Sequence, residues 1–355
     1  IEPNAFADCT QLSNVFFEEN AQLTRIGGGF SGSSAYGAFQ NCKNLKEIQI
    51  PASVEIIEAA AFKNCTSLSR ITFERGSHLK TIGGGGFYTS GTLRSISYHG
   101  AFSQCTALTT IEIPASVEVI EPAVFNECTS LVSVVFEKGS RLSKIGGGFI
   151  TDSYGIQCNA ASGAFRNCTA LTGIEIPAEV RTIEAGAFKG CVALKSVTFK
   201  SDSRLETIEG GAYYEQDYYG AFSDCISLEI ITISASVKSI GHSAFRGCTS
   251  LSNISFAENS VLTTIGDYAF YQCPILHTMD AANCRLIASI GEEAFSSSNE
   301  MRLFKIGTMT PPECGSNPFG QVGTYSVLKV PSGATNVYKS ASYWRAFASI
   351  TALDE

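Results

Sequence analysis

The residues with most chemistry open to them in this 355-residue chain are its thirteen cysteines. A thiol can ligate a metal, form a disulfide or attack a substrate, and spacing decides which. Metal sites draw on close clusters such as Cys-x-x-Cys, and the sequence has none. Ten of the cysteines instead hold one place in a recurring Phe-x-x-Cys-x-x-Leu pattern, from Phe6/Cys9/Leu12 to Phe270/Cys273/Leu276, with a degenerate eleventh copy at Phe295/Ser298/Met301. Stacked copies would bring neighbouring Cys backbones to about 5 Å, within disulfide reach, but with side chains in parallel, which is poor bridge geometry. The pattern therefore predicts a ladder of buried free thiols, each a small hydrophobe. Cys158, Cys284 and Cys314 lie out of frame, and Cys158 is the expected exposed thiol.

Other chemistry falls away on the same grounds. Paired carboxylates do acid–base work, but Glu2, Glu58, Glu121 and Glu184 follow the repeat phase and read as a solvated column. His78, His99, His242 and His277 show no metal spacing and no nucleophile partner. The glycine runs at 27–29, 83–86 and 146–148 lack the Lys-Ser/Thr that completes a phosphate loop. No catalytic residue, cofactor or metal ligand is expected, and the chain does not read as an enzyme.

The elements that carry these residues repeat with them. After each Leu comes an apolar/polar alternation such as Leu45-Lys46-Glu47-Ile48-Gln49-Ile50, which predicts a short strand with one buried face. A turn follows, often Pro-Ala-Ser as at Pro51 and Pro114, then Val-x-x-Ile and the next Ala-Phe. Each unit offers one apolar edge that only stacking can bury, the leucine-rich-repeat plan. The predicted fold is an α/β repeat solenoid: a right-handed leucine-rich-repeat coil, strand-rich with short helical turns and a C-terminal capping segment. It assigns residues 1–306 to about eleven coils and 307–355 to a lid over the last one.

Successive Phe positions are 33, 23, 40, 23, 40, 23, 34, 23, 25 and 25 residues apart. Short coils of 23 alternate with long coils of 25, whose turn is two residues longer. The excess leaves insertions of 8, 15, 15 and 9 residues, all between the Ile-Gly position and the next Ala-Phe. Insertions at one slot project from one side of a solenoid, often the binding side. Two coils apart, they lie roughly 10 Å from one another. They are rich in glycine and aromatics: Phe30 and Tyr36; Phe87, Tyr88 and Tyr98; Phe149 and Tyr154; Tyr213, Tyr214, Tyr218 and Tyr219. Tyrosine brings large contact area with few rotatable bonds, as in adaptable binding loops, so these eleven residues are the candidate site. The competing reading is that the rings fold back and staple the loops to the solenoid wall. The outward strand positions Phe16, Gln49, Thr72, Glu112, Val135, Glu175, Thr198, Thr232, Ser255 and Asp280 form a second candidate surface with few aromatic anchors.

Composition bounds the partners. Formal net charge is −8 with 16% charged residues and no basic stripe, which argues against nucleic acid. No run of about 20 apolar residues spans a membrane. Ile1-Glu2-Pro3-Asn4-Ala5-Phe6 matches Ile57-Glu58-Ala59-Ala60-Ala61-Phe62 in phase, so a cap and any secretion signal are expected upstream.

Phe-x-x-Cys-x-x-Leu-x-x-Ile-x-Ile-Pro-x-Ser-Val-x-x-Ile resembles the BspA-like leucine-rich repeats over roughly residues 1–306. The tail, with Pro311-Pro312, Asn317-Pro318-Phe319, Leu328-Lys329-Val330-Pro331 and Tyr343-Trp344-Arg345, resembles the closing segment of such proteins in Bacteroidales-type bacteria. Similar repeats occur in surface proteins of a protozoan parasite. The resemblance implies a cell-surface or secreted protein, with adhesion to host proteins or other bacteria in some members; the four insertions depart from a plain array, so a relative's partner does not transfer. The resemblance supplies no catalytic residues. The chain itself is expected to be a monomeric binding scaffold with a protein or glycan partner on a host or bacterial surface. Against this stand a structural spacer displaying another domain, and binding through the strand face.

Overall fold

The computed structural model describes residues 1–31, 34–89, 95–147, 149–151, 157–161, 163–211, 219–321 and 325–354, with backbone alone at 86–89, 95–97, 149–151 and 157–161. It is a parallel β-solenoid of about eleven turns. The Ile-x-Ile alternation forms four-residue strands such as Glu47–Ile50, Thr110–Ile113 and Ile230–Ile233, each exposed and buried in turn. The Val-x-x-Ile segment ends in a two-residue strand. Eleven of these, from Arg25–Ile26 to Glu313–Cys314, make one unbroken parallel sheet. The long strands are split into sheets of two, four and six strands.

Between the sheets runs the Phe-x-x-Cys-x-x-Leu segment. The expected short helical turns are single tight turns, with Cys42 N–H donating to Phe39 O at 3.2 Å and Leu45 N–H to Cys42 O at 3.1 Å. Among the described residues the named helices all lie within 332–346. The residue before each Cys takes a left-handed backbone, as at Asn41, Asn64 and Asn167 with φ 60°, 61° and 57°. Asparagine tolerates that region better than most side chains.

The phenylalanines stack into a spine. From Phe6 to Phe295 neighbouring rings are 5.1–5.6 Å apart and within 12° of parallel. Beside it runs the thiol ladder. Each Cys Sγ from Cys42 to Cys273 donates to the Phe carbonyl of the preceding coil, as in Cys65 to Phe39 O at 3.0 Å and Cys128 to Phe102 O at 3.2 Å. Ser298 fills the same role toward Phe270 O at 3.4 Å, which explains why the eleventh copy accepts a serine. The ladder needs a small, buried donor, and it carries no disulfide among the described residues.

Burial pushes the thiols of Cys128, Cys191 and Cys273 up to about 12. A thiol reagent at pH 8 is therefore expected to label exposed Cys9 in the folded protein and these three only after denaturation. Labelling of Cys128 in folded protein would contradict the ladder. Cys284 is in the core and Cys314 is half-buried. Cys158, the expected exposed thiol, lies outside the residues with described side chains.

Both sheets run past residue 306. Glu313–Cys314 extends the two-residue sheet, and Val327–Val330 and Ser349–Ala352 extend the other. Trp344 and Phe347 are buried against Phe304 and Phe319, and Tyr338 is buried against Trp344. Trp344 Nε1–H donates to Pro312 O at 3.3 Å and the Tyr338 hydroxyl to Thr308 O at 3.2 Å. The bulky aromatics thus keep their polar ends paired.

Candidate binding surface

The insertions leave the wall directly after the unbroken sheet, so each is rooted in its most regular part. Both feet are glycines because the next coil's backbone passes too close for a side chain. A Cβ at Gly37, Gly100, Gly163 or Gly220 would lie 1.7–1.8 Å from a carbonyl oxygen of that coil.

Of the four carboxylates expected to form a solvated column, Glu2 is exposed and the other three do something else. Glu58 Oε2 accepts from Gly28 N–H, Glu121 Oε2 from Gly84 N–H and Glu184 Oε2 from Gly147 N–H, each at 2.8 Å. Each glutamate caps the entry foot of the insertion on the preceding coil, and charge makes these bonds stronger than neutral ones. Arg25 lies 3.1 Å from Glu58 and Lys144 3.0 Å from Glu184. A signal for this role was present in the sequence, because these three glutamates occur in the coils that follow an insertion. The coil after the fourth insertion has Gly241-His242 instead.

Glu209 belongs to that fourth inserted coil. Burial, reinforced by neighbouring Glu184, raises its carboxyl above the usual range, against the pull of Lys144 and a bond from the Ala185 backbone. The folded state thus holds this proton more tightly than the unfolded one. Stability from this group is lost as pH rises from the ordinary carboxylate range through the raised pKa. Glu209→Gln is expected to melt higher than the parent at pH 7, with the difference closing on acidification. A lower melting temperature at pH 7 would contradict this.

The first three insertions fold into antiparallel hairpins: Phe30–Ser31 with Ser34–Ala35, Gly86–Thr89 with Ser95–Tyr98, and Phe149–Thr151 with Gln157–Ala161. Backbones of the second and third approach within 8 Å at Gly86–Thr89 and Phe149–Thr151. Their described aromatics pack on the wall and on each other. Half-buried Phe30 stacks on His99 of the second insertion at 4.8 Å and 18°, over Gly85. Tyr36 covers Gly29, and its hydroxyl donates to Phe30 O at 2.9 Å. Lys63 Nζ lies 3.2 Å from His99 Nδ1. Arg166 sits over the Tyr98 ring at 4.9 Å, and Lys189 lies 5.6 Å from the centre of Tyr219, which is only 3% exposed. Cations from the wall therefore clamp the exit feet. Sequence reasoning missed Lys63, Arg166 and Lys189, whose shared place one residue after the spine Phe was the available signal.

Of the predicted site residues, Phe30, Tyr36, Tyr98 and Tyr219 are brought to the bases of their insertions as staples. Phe87, Tyr88 and Phe149 are described by backbone alone, and Tyr154, Tyr213, Tyr214 and Tyr218 lie outside the described residues. On the strand face, Phe16 is 86% and Val135 51% exposed; Gln49, Glu112, Glu175, Thr198 and Thr232 are exposed, and Thr72, Ser255 and Asp280 half-buried. Among the described residues no group of three or more His, Cys, Asp or Glu could hold a metal, and no helix is long and apolar enough to cross a membrane.

One strand pair per coil, a Phe spine and in-phase insertions define a leucine-rich-repeat solenoid. The chain belongs to the BspA type leucine rich repeat region family, which matches in six copies over residues 33–137, 98–158, 159–219 and 217–346. No curated protein matches the sequence. Among solved structures it is similar to the pneumococcal vaccine antigen PcpA, with 18% identity, TM-score 0.41, and coverage of 93% of this chain and 84% of that one. A leucine rich cell surface protein of Faecalibacterium prausnitzii A2-165 is 24% identical, TM-score 0.39, over 94% and 88% of the two chains. A leucine-rich repeat protein of Bacteroides ovatus ATCC 8483 is 19% identical, TM-score 0.34, over 93% and 91%.

Proposed function

We propose that the chain is a non-catalytic binding scaffold, monomeric and exposed at the cell surface or secreted, that takes a protein or glycan partner on its row of inserted hairpins. The observation that carries this is the rooting of the hairpins. Glutamate caps, glycine feet and wall cations hold them, and the second and third lie side by side. Loops held at both feet in this way lose less entropy on binding than untethered ones. A spacer has no use for mutually packed insertions. In this reading the staples Phe30, Tyr36, Tyr98 and Tyr219 position the insertions, and Phe87, Tyr88, Phe149, Tyr154, Tyr213, Tyr214 and Tyr218 make the contacts. Residues 307–355 serve as the lid that closes the stack.

The test is a screen against host matrix proteins, bacterial surface proteins and glycans. It compares intact protein with a form whose second and third hairpins are replaced by short Gly-Ser links. A partner captured by the intact form alone supports the reading. Equal capture by both forms refutes the assignment to the hairpins.

A further inference from the structure

The coils that carry insertions are also the places where the long-strand sheet comes apart. At the first inserted coil a single bridge, Asn14 with Glu47, joins neighbouring strands. At the second, Arg70–Phe73 and Thr110–Ile113 belong to different sheets. At the third only Ser133 pairs with Gly173, and at the fourth Ser196–Phe199 and Ile230–Ile233 are again unpaired. Other neighbouring long strands pair over three or four positions, as in Thr110–Ile113 with Ser133–Phe136. Each seam falls where a long turn is followed by a short one. The two surviving pairs sit at strand starts, so these seams open toward the strand ends.

Among the described residues, grooves lie on three of the seams. The first is lined by Phe16, Gln49 and Arg70. The third, of about 910 Å³, is lined by Val135, Phe136, Glu175, Pro177 and Lys200. The fourth, of about 750 Å³, is lined by Phe199, Lys200, Ile230, Thr232 and Ser234. Each has a phenylalanine, exposed at Phe16 and half-buried at Phe136 and Phe199, and the last two have an exposed aliphatic rim in Val135 and Ile230, the latter 56% exposed. Opposite charges balance in the first groove, with Glu47 and Arg70, and in the fourth, with Lys200 and Glu258; in the third, Glu175, Glu179 and Lys200 are in ion pairs. Glu175 pairs with Lys200 at 2.5 Å and Glu179 with Arg204 at 2.6 Å. The remaining charges of the third groove, Glu137, Lys138, Arg141 and Asp202, sum to zero. The complementary occupant is uncharged.

Spacing selects its conformation. Successive seams are two coils apart, about 9.6 Å at the usual strand separation. Three residues of polyproline II advance about 9.3 Å and complete one turn, so every third residue returns to the same side. Three residues of β-strand cover a similar length but end on the opposite face. Polyproline II leaves its carbonyls free for the one spare proton in each of the hydroxyl pairs Thr232–Ser255 and Ser234–Ser236, and proline-rich segments dock in aromatic-lined grooves.

We infer that the strand face binds an uncharged, proline-rich segment of a partner protein, laid along the solenoid axis with every third residue over a seam. The inference shares with the proposed function only the premise that the chain is a binding scaffold. It concerns a different face, so the two fail separately.

The experiment titrates the full chain into a fluorescent peptide of five Pro-Pro-Ala repeats and follows anisotropy, with a Gly-Ser peptide of equal length as control. Saturable binding of the proline peptide alone is expected. Val135→Asp with Ile230→Asp should weaken it by about tenfold or more, and Phe16→Ser less. Hairpin replacement should leave it unchanged. The inference is overturned by no saturable binding, by equal binding of the Gly-Ser peptide, by undiminished binding in both variants, or by loss on hairpin replacement.

Discussion

Phe125→Ala is expected to destabilise the protein by about 3–5 kcal/mol, the range for a large buried ring cut to a methyl. Phe125 is fully buried between Phe102 at 5.6 Å and Phe165 at 5.1 Å. The size of the loss depends on whether the neighbours can close the gap. Here they cannot move far. Phe125 N–H donates to Ala164 O at 2.7 Å and Phe102 N–H to Val124 O at 2.9 Å, so backbone bonds hold the coils at fixed spacing on both sides of the cavity. Cys168 Sγ adds a third tie to Phe125 O at 3.2 Å. Urea unfolding followed by circular dichroism measures the effect. Phe125→Leu should lose far less, because most of the volume remains. A midpoint for the alanine variant close to that of the parent would mean that the spine is not a principal source of stability.

Gly100→Ala is the second large effect, about 3 kcal/mol, at the upper end for overpacking. The added Cβ would lie 1.7 Å from Ala123 O and 2.2 Å from its carbonyl carbon, and both are backbone atoms. Relief requires the coils to part, which opposes the bonds from Phe102 N–H to Val124 O at 2.9 Å and from Gln104 N–H to Asn126 O at 2.8 Å. The same substitution at Gly76 is an internal control. Gly76 has φ 78° but nothing within 4 Å of its Cβ position, so only backbone strain of about 1 kcal/mol is expected there. Thermal melts of the two variants should therefore separate clearly. A Gly100→Ala protein as stable as Gly76→Ala would refute the close-approach account of the insertion feet. Because Gly100 ends the second insertion, its replacement should also disturb His99 and the Phe30 ring stacked on it.

The solenoid could be read from sequence because repetition converts a local pattern into a long-range one. Phe39, Phe62 and Phe102 announce a stack through phase alone, and the buried thiols follow. The insertion slot was legible for the same reason. What depended on pairing between coils was not. Gly28 and Glu58 are thirty residues apart, and neither residue type reveals that one will cap the other. The hairpins were hidden because Gly/Ser/Tyr segments lack the apolar alternation of a half-buried strand. The packing of Tyr219 under Lys189 was open to two readings, and only geometry separates a ring offered to a partner from one laid on the wall. The seams arise from a two-residue difference in turn length, visible in the sequence but without an evident consequence until neighbouring strands are compared.

The central claim is that a rigid solenoid presents ordered hairpins to a partner. Its most direct test is the dissociation constant of a captured partner for intact protein and for protein in which Gly86–Tyr98 is replaced by a short Gly-Ser link, with melting temperatures measured alongside. The account predicts a loss of affinity of about a hundredfold, the scale of a lost hot-spot cluster, with little change in melting temperature. Undiminished affinity in a variant that melts with the parent would contradict it.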